Sequence, residues 1–226
     1  MIKFENVSKK FGNGIVALEE INLEIPDGEF IFICGPSGAG KTTLLRLLTH
    51  DVLPSSGSVF FNDWNLAKLP PRKVPHLRRK VGTVFQDFKL LSDRTIFENV
   101  ALALEVLGEK EKVIRQKVNE ILEALNLSSH ANLFPIQLSG GELQQVVLAR
   151  AMIGKPEVLL ADEPTGNLDP ATSWEIIKIL QEINEAGTTV VMATHNVDVV
   201  DSLGKRVVKI DKGKIKKDEK KGKYST

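Results

Sequence analysis

Residues 35–42 read GPSGAGKT, directly after the apolar run FIFIC and directly before leucines at helical spacing, Leu44, Leu45, Leu47 and Leu48. The form G-x-x-x-x-G-K-[ST], set between a strand and a helix, is built to hold phosphate. Gly35, Gly38 and Gly40 let the backbone turn so that its N–H groups converge as an anion nest, and the positive end of the next helix points at the same place. Pro36, Ser37, Ala39 and Thr43 complete the expected phosphate-binding run. Lys41 would reach the β- and γ-phosphates of a nucleotide, and the Thr42 hydroxyl would bind Mg²⁺.

Other apolar runs end in side chains suited to the same chemistry. Residues 158–161 lead into Asp162 and Glu163, one carboxylate for the cation and a second to orient or deprotonate water. Residues 81–85 lead into Gln86, a neutral amide able to touch Mg²⁺ or water without adding charge. Residues 188–193 lead into Thr194 and His195, whose imidazole could contact a γ-phosphate. Each signal is weak alone, since acidic pairs make surface turns, glutamines end many strands and a single histidine is commonly structural. Together they matter, because ligands of an open parallel sheet bind outside the carboxyl ends of its strands. A second anion site stands about 100 residues further on, at LSGGE: Ser139 caps a helix whose first-turn N–H groups Gly140 and Gly141 leave bare. Two phosphate sites in one chain need an explanation beyond an ordinary helix cap.

Positioning these groups requires a sheet covered by helices. Short runs rich in Ile, Val and Phe alternate with longer stretches at helical spacing, which predicts an α/β fold with strands over 30–34, 81–85, 158–161 and 188–193. Ile2, Phe4 and Val7, then Ile21, Leu23 and Ile25, alternate as half-exposed antiparallel strands do, which predicts a mixed sheet. Between 95 and 153 only helical patterns occur, over 96–107, 113–125 and 141–153. That block reads as a helical subdomain, about 87–153, inserted between core segments 1–86 and 154–210 of a single domain. Seven lysines against three acids in 211–226 predict a solvated basic tail.

Thirty basic and 29 acidic residues leave a net charge of +1, which excludes bulk charge as the basis of any partnership. Arg72, Lys73, Arg78, Arg79 and Lys80 cluster, but no aromatics interleave with them, so a solvated face is favoured over a nucleic-acid site, with anionic headgroups as the other candidate. Cys34 is the one cysteine, so no internal disulfide forms and a reducing compartment suits the chain. No apolar run approaches the roughly 18 residues of a membrane span, and the N-terminus lacks the apolar core of a signal peptide. The chain reads as soluble and intracellular, with any membrane role supplied by a partner.

Over residues 1–213 the sequence resembles the ATP-binding-cassette ATPases. GPSGAGKT is similar to their Walker A, LLADE to their Walker B with the catalytic Glu163, LSGGE to their signature, Gln86 to their Q-loop residue, NLDP at 167–170 to their D-loop and His195 to their switch histidine. The resemblance implies a P-loop fold of that type, Mg²⁺-dependent ATP hydrolysis, and a head-to-tail homodimer in which each signature closes on the γ-phosphate held by the other Walker A. It also implies that Phe11 stacks on adenine, that Gln86 and Thr42 ligand Mg²⁺ with Asp162 behind a water, and that Asp169 couples the two sites. The sequence departs from the family at Leu143 and Gln145, where polar and Arg residues are usual, and at His50 and Asp51, where small residues are usual.

RKVPHLRRKVGTVFQDFKLLSDRTIFENVALAL, FPIQLSGGE and VVMATHN resemble the bacterial cell-division branch of the family. That branch implies an FtsX-like integral membrane subunit docked on the helical subdomain near Gln86 to Phe97, other cell-division proteins, and a peripheral location on the cytoplasmic side of the inner membrane. Asp87, Phe88, Leu90, Leu91 and Phe97 would form an apolar groove for that partner or the lobe's own core. The alternatives are a lipoprotein-release or macrolide-export cassette and, in another class, a soluble cassette acting on nucleic acid or ribosomes.

Overall fold

The computed structural model describes residues 1–12, 14–85 and 87–224. In chain order the elements are β1 (Ile2–Lys10), β2 (Val16–Ile25), β3 (Phe30–Cys34), α1 (Lys41–Leu48), β4 (Ser56–Phe61), β5 (Trp64–Asn65), α2 (Val74–Lys80), β6 (Val81–Val84), α3 (Ile96–Val106), α4 (Glu111–Ala124), α5 (Gly140–Met152), β7 (Val158–Asp162), α6 (Pro170–Glu185), β8 (Thr189–Thr194), α7 (Val197–Leu203), β9 (Arg206–Asp211) and β10 (Lys214–Glu219).

β3 has no polar residue to turn toward water and is buried throughout. It lies inside a six-stranded sheet of order β10-β9-β3-β8-β7-β6. Because side chains alternate along a strand, β3 feeds two cores at once. Ile31 and Ile33 join Phe4, Leu44, Leu48 and Val191 on one face. Phe30, Phe32 and Cys34 join Ile176, Ile177, Leu180 and Met192 on the other. A third core lies among α3, α4 and α5, where Ile96, Val100, Leu104, Val118, Leu122 and Val146 meet.

The N-terminal strands are antiparallel, pairing Ile2 with Ile25, Phe4 with Leu23 and Val7 with Ile21. They do not join the parallel strands; they form a separate four-stranded sheet, β2-β1-β4-β5. The mixed character of the larger sheet comes from the C-terminal hairpin, β9 running parallel to β3 and β10 antiparallel to β9. This corrects the expectation of a solvated tail over 211–226. Residues 214–219 alternate half-buried and exposed as an edge strand does, and Asp218 holds Arg206 through two bonds of 2.8 and 2.7 Å. Acids among the lysines, rather than lysines alone, let the segment pair instead of repelling itself.

The basic cluster is largely spent inside the chain. Arg78 bonds Asp51 at 2.8 Å and the Thr49 carbonyl at 3.2 Å, Arg79 bonds the Val106 carbonyl, and Lys80 pairs with Glu157. The unusual Asp51 therefore ties the end of α1 to α2. Among the described residues, no helix is long and apolar enough to cross a membrane.

Candidate active site

Parallel registry brings the expected groups to one edge. Cys34 lies level with Thr194, Asp162 with Ala193, and Val84 with Ala161. The residues that follow these strands therefore leave the sheet side by side. Between β3 and α1 the loop is pinned at both ends: a Cβ on Gly35 (φ 150°) would sit 2.0 Å from the Ile210 carbonyl oxygen, and one on Gly40 (φ 111°) 2.4 Å from that of Ala17. Only glycine fits this left-handed backbone at such a distance. Gly40 caps α1 without any side chain bonding the first turn. Those N–H groups and the helix dipole face the loop, which is the arrangement an anion requires.

Lys41 opens α1 and is nearly buried, 7% exposed. Its ammonium donates to the carbonyls of Gly35 at 2.8 Å and Pro36 at 3.1 Å. Its Nζ also lies 3.7 Å from Glu163 Oε1. The cation is thus held at the mouth of its own loop, beside the carboxylate proposed to handle water.

Asp162 ends β7 among hydrophobic neighbours. Burial pushes its carboxyl up, a hydrogen bond from Thr42 pulls it down, and the adjacent Glu163 pushes it up again. Oδ1 is buried with no hydrogen-bond partner. An orphaned carboxylate oxygen next to a hydroxyl is a hard-oxygen pair, and a divalent cation fits it. Among the described residues, no group of three His, Cys, Asp or Glu could hold a metal alone. Mg²⁺ takes one or two protein oxygens and completes its shell with phosphate and water, and the Thr42–Asp162 pair offers two such oxygens. Gln86, the other expected ligand, lies outside the described residues.

Glu163 takes a left-handed backbone, φ 49°, costly for a non-glycine residue and common where function dictates geometry. Its N–H donates to the Ala193 carbonyl at 2.9 Å, which fixes the turn against β8. Oε1 lies 2.8 Å from His195 Nδ1, and Oε2 accepts the His195 backbone N–H at 3.3 Å. His195 therefore braces Glu163 directly, a contact that spacing alone did not foretell. A cleft of about 910 Å³ joins Phe11, the loop from Pro36 to Thr43, Asp162, Glu163 and His195. A second cleft of about 550 Å³ shares Thr42 and Asp162 with it.

Tyr224 also lines the larger cleft, held by its backbone N–H to Asp201 at 2.6 Å. Reading the tail as solvated hid this residue. A lone aromatic at a charged terminus was the available signal.

None of Ser139, Gly140 and Gly141 lines the cleft that holds Lys41. Ser139 caps α5 through a reciprocal box: its Oγ accepts the Glu142 N–H at 3.4 Å, and Glu142 Oε2 accepts the Ser139 N–H at 2.7 Å. The turn is thus more fully closed by its own carboxylate than the bare N–H groups expected from sequence. A Cβ on Gly141 would lie 2.4 Å from Thr172 Cγ2, so the turn packs tightly on α6. Asp169 caps α6 through Thr172, whose bonds hold its carboxyl below the usual range. Gln144, beside the departures at Leu143 and Gln145, is buried with its Nε2 unpartnered.

The segment after Gln86 is stitched to the helices. Phe88 and Lys89 are left-handed, and Arg150 of α5 donates to their carbonyls at 2.9 and 2.7 Å. Asn99 of α3 is fully buried. It accepts the Leu91 N–H at 2.8 Å and donates to the carbonyls of Leu91, Arg94 and Thr95. A polar residue on the apolar stripe of Ile96 and Val100 was the sequence signal for it. The residues expected to form a partner groove divide accordingly: Phe88, Leu90 and Phe97 pack on the chain's own cores, while Asp87 and Leu91 are exposed. Asn99→Ala is expected to cost about 1–3 kcal/mol, because it removes the side chain that pairs the part-buried Leu91 N–H and carbonyl and the Arg94 carbonyl. Urea unfolding should show the lowered midpoint, and hydrogen exchange should show protection lost first over 87–95.

Comparisons with known proteins identify the family and the fold. The profile of the ABC transporter family matches residues 18–166. The cell division ATP-binding protein FtsE of Bacillus subtilis is 50% identical over 226 residues, 100% of this chain and 99% of that protein. FtsE of Mycobacterium tuberculosis is 49% identical over 225 residues, 99% of this chain and 98% of that protein. Among solved structures, the ATP-binding cassette MJ0796, a dimer in a post-hydrolysis state bound to ADP and Pi, superposes with a TM-score of 0.90 at 36% identity, covering 98% of this chain and 99% of that one. A relative identical at half of all positions over the whole chain, and a fold matched over nearly all of it, leave one assignment: the chain belongs to the ABC transporter family, as one of its ATP-binding cassettes.

Proposed function

We propose that this chain is the ATP-hydrolysing subunit of an FtsEX-type complex, which couples ATP binding and hydrolysis to control of cell-wall hydrolases during division. The observation that carries its mechanism is the separation of the signature turn from the cleft holding Lys41 and Glu163. A second copy, turned head to tail, supplies the missing anion site, which accounts for two phosphate sites in one chain. Lys41 and the loop N–H groups hold the β- and γ-phosphates, and Phe11 stacks on adenine. Thr42, Asp162 and Gln86 would hold Mg²⁺, which when bound offsets phosphate charge. Glu163 takes a proton from the attacking water as oxygen joins the γ-phosphorus and the bond to ADP breaks, with His195 holding Glu163 in place and meeting the phosphate. Asp169 couples the two sites across the dimer.

The helical subdomain, about 87–153, receives an FtsX-like integral membrane subunit at the exposed positions near Asp87 and Leu91. Through that subunit the chain sits peripherally on the cytoplasmic side of the inner membrane. The relatives' names favour division over lipoprotein release, macrolide export or work on nucleic acid. Co-purification from native membranes tests this reading. Recovery of an FtsX-like subunit with one extracytoplasmic domain is expected, and recovery of a lipoprotein-binding or export permease overturns it. Light scattering of Glu163→Gln with and without ATP tests the dimer.

A further inference from the structure

Glu142 places a negative charge where the proposed dimer brings another. Its Oε2 accepts both the Ser139 N–H at 2.7 Å and the Ser139 hydroxyl at 2.6 Å, and these bonds hold its carboxyl below the usual range. A helix start closed by a carboxylate has part of its anion affinity already satisfied. An incoming γ-phosphate would meet that charge and a hydroxyl whose proton is committed to Oε2. The other carboxylate oxygen faces His130. This residue ends the short turn Ser128–His130, and its Nε2 lies 3.1 Å from Glu142 Oε1. Its Nδ1 lies 3.2 Å from the Ser129 hydroxyl, so both ring nitrogens are engaged and the ring is held edge-on to Glu142.

We propose that His130 is a positioning residue for the signature: bonded to Oε1, it keeps the Glu142 carboxylate in place while the Ser139 hydroxyl turns from Oε2 to the phosphate held by the second copy. The role rests on the head-to-tail reading. His130 touches no phosphate; it acts through Glu142, on dimer closure and not on the loop around Lys41. An ordinary cap would need Ser139 and Glu142 alone.

The test uses the full chain carrying Glu163→Gln, so that ATP is bound and not consumed. Light scattering reads the ATP concentration at half-dimerisation, and calorimetry reads ATP binding at concentrations too low to pair. His130→Ala is expected to raise the half-dimerisation concentration about tenfold, with binding to the monomer unchanged. His130→Lys, which keeps a donor within reach of Oε1, should restore it to within about twofold, and Glu142→Gln added to His130→Ala should remove most of the effect, since the carboxylate to be held is gone. Pairing indifferent to His130→Ala overturns the role. So does a loss that lysine fails to restore and Glu142→Gln fails to relieve, which is the mark of a damaged turn. If the Glu163→Gln chain with His130 intact shows no ATP-dependent pairing, the head-to-tail reading fails and the role fails with it.

Discussion

Glu163→Gln is expected to slow ATP turnover by about 10²- to 10⁴-fold, or about 3–5 kcal/mol of transition-state stabilisation, while ATP still binds. The amide keeps the shape of the side chain but cannot take a proton from water. Three contacts put the carboxylate in position: the turn bonded to Ala193, the His195 ring at 2.8 Å, and Lys41 at 3.7 Å. Removing its charge also removes a negative neighbour of Lys41, so ATP affinity should hold or rise. Steady-state hydrolysis and calorimetry on the same preparation separate the two effects. Wild-type turnover in the variant would remove Glu163 from the role of base. Equal loss of binding and turnover would make its contribution one of substrate affinity.

Lys41→Ala should do the converse. Deleting a nearly buried ammonium at the mouth of the phosphate loop is expected to weaken ATP binding by about 2–3.5 kcal/mol, roughly 30- to 300-fold, because charge-assisted bonds are the strong ones. The truncation also leaves the buried Gly35 carbonyl without its ammonium donor, whereas the Pro36 carbonyl borders the cleft, where water can replace the ammonium. The thermal midpoint should therefore register no more than the roughly 1–3 kcal/mol of one unpaired carbonyl, while the affinity carries the loss of the charged contact. Unchanged ATP affinity by calorimetry would show that the ammonium serves its own loop and not the ligand.

The chemical groups of the site were legible because each is announced by local pattern. A buried strand is a short apolar run, and the residue after it must emerge at the sheet edge, so the strands near 30–34, 81–84, 158–162 and 189–194 could be placed to within one residue. Glycine in the phosphate loop was legible for a similar reason. The loop demands it, although the clashing partners Ala17 and Ile210 come from strands distant in sequence.

What escaped was pairing between distant segments. Nothing local separates an antiparallel strand in the large sheet from one in a sheet of its own, so only pairing across the fold puts β1 and β2 in the smaller sheet. In the basic tail, net charge predicts solvation while the alternation of residues predicts a strand, and the strand forms. Residues 214–219 alternate, and Arg206, on the neighbouring strand β9 of the same hairpin, supplies the partner for Asp218. Local pattern does not show what Asn99 and Arg150 bond, because their acceptors are backbone carbonyls in a loop without regular structure.

By itself, then, the sequence determined the inventory: a phosphate loop, a cation carboxylate, a water-handling carboxylate, a histidine and a second helix start for anions. Those are properties of residue type and short spacing. Tertiary structure alone decided which of them meet. Parallel registry sets Glu163 against both Lys41 and His195, and the packing of α5 on α6 keeps Ser139 out of the cleft. The reason is physical: hydrogen bonds and packing between segments far apart in the chain are fixed by the whole fold, and no local window carries them.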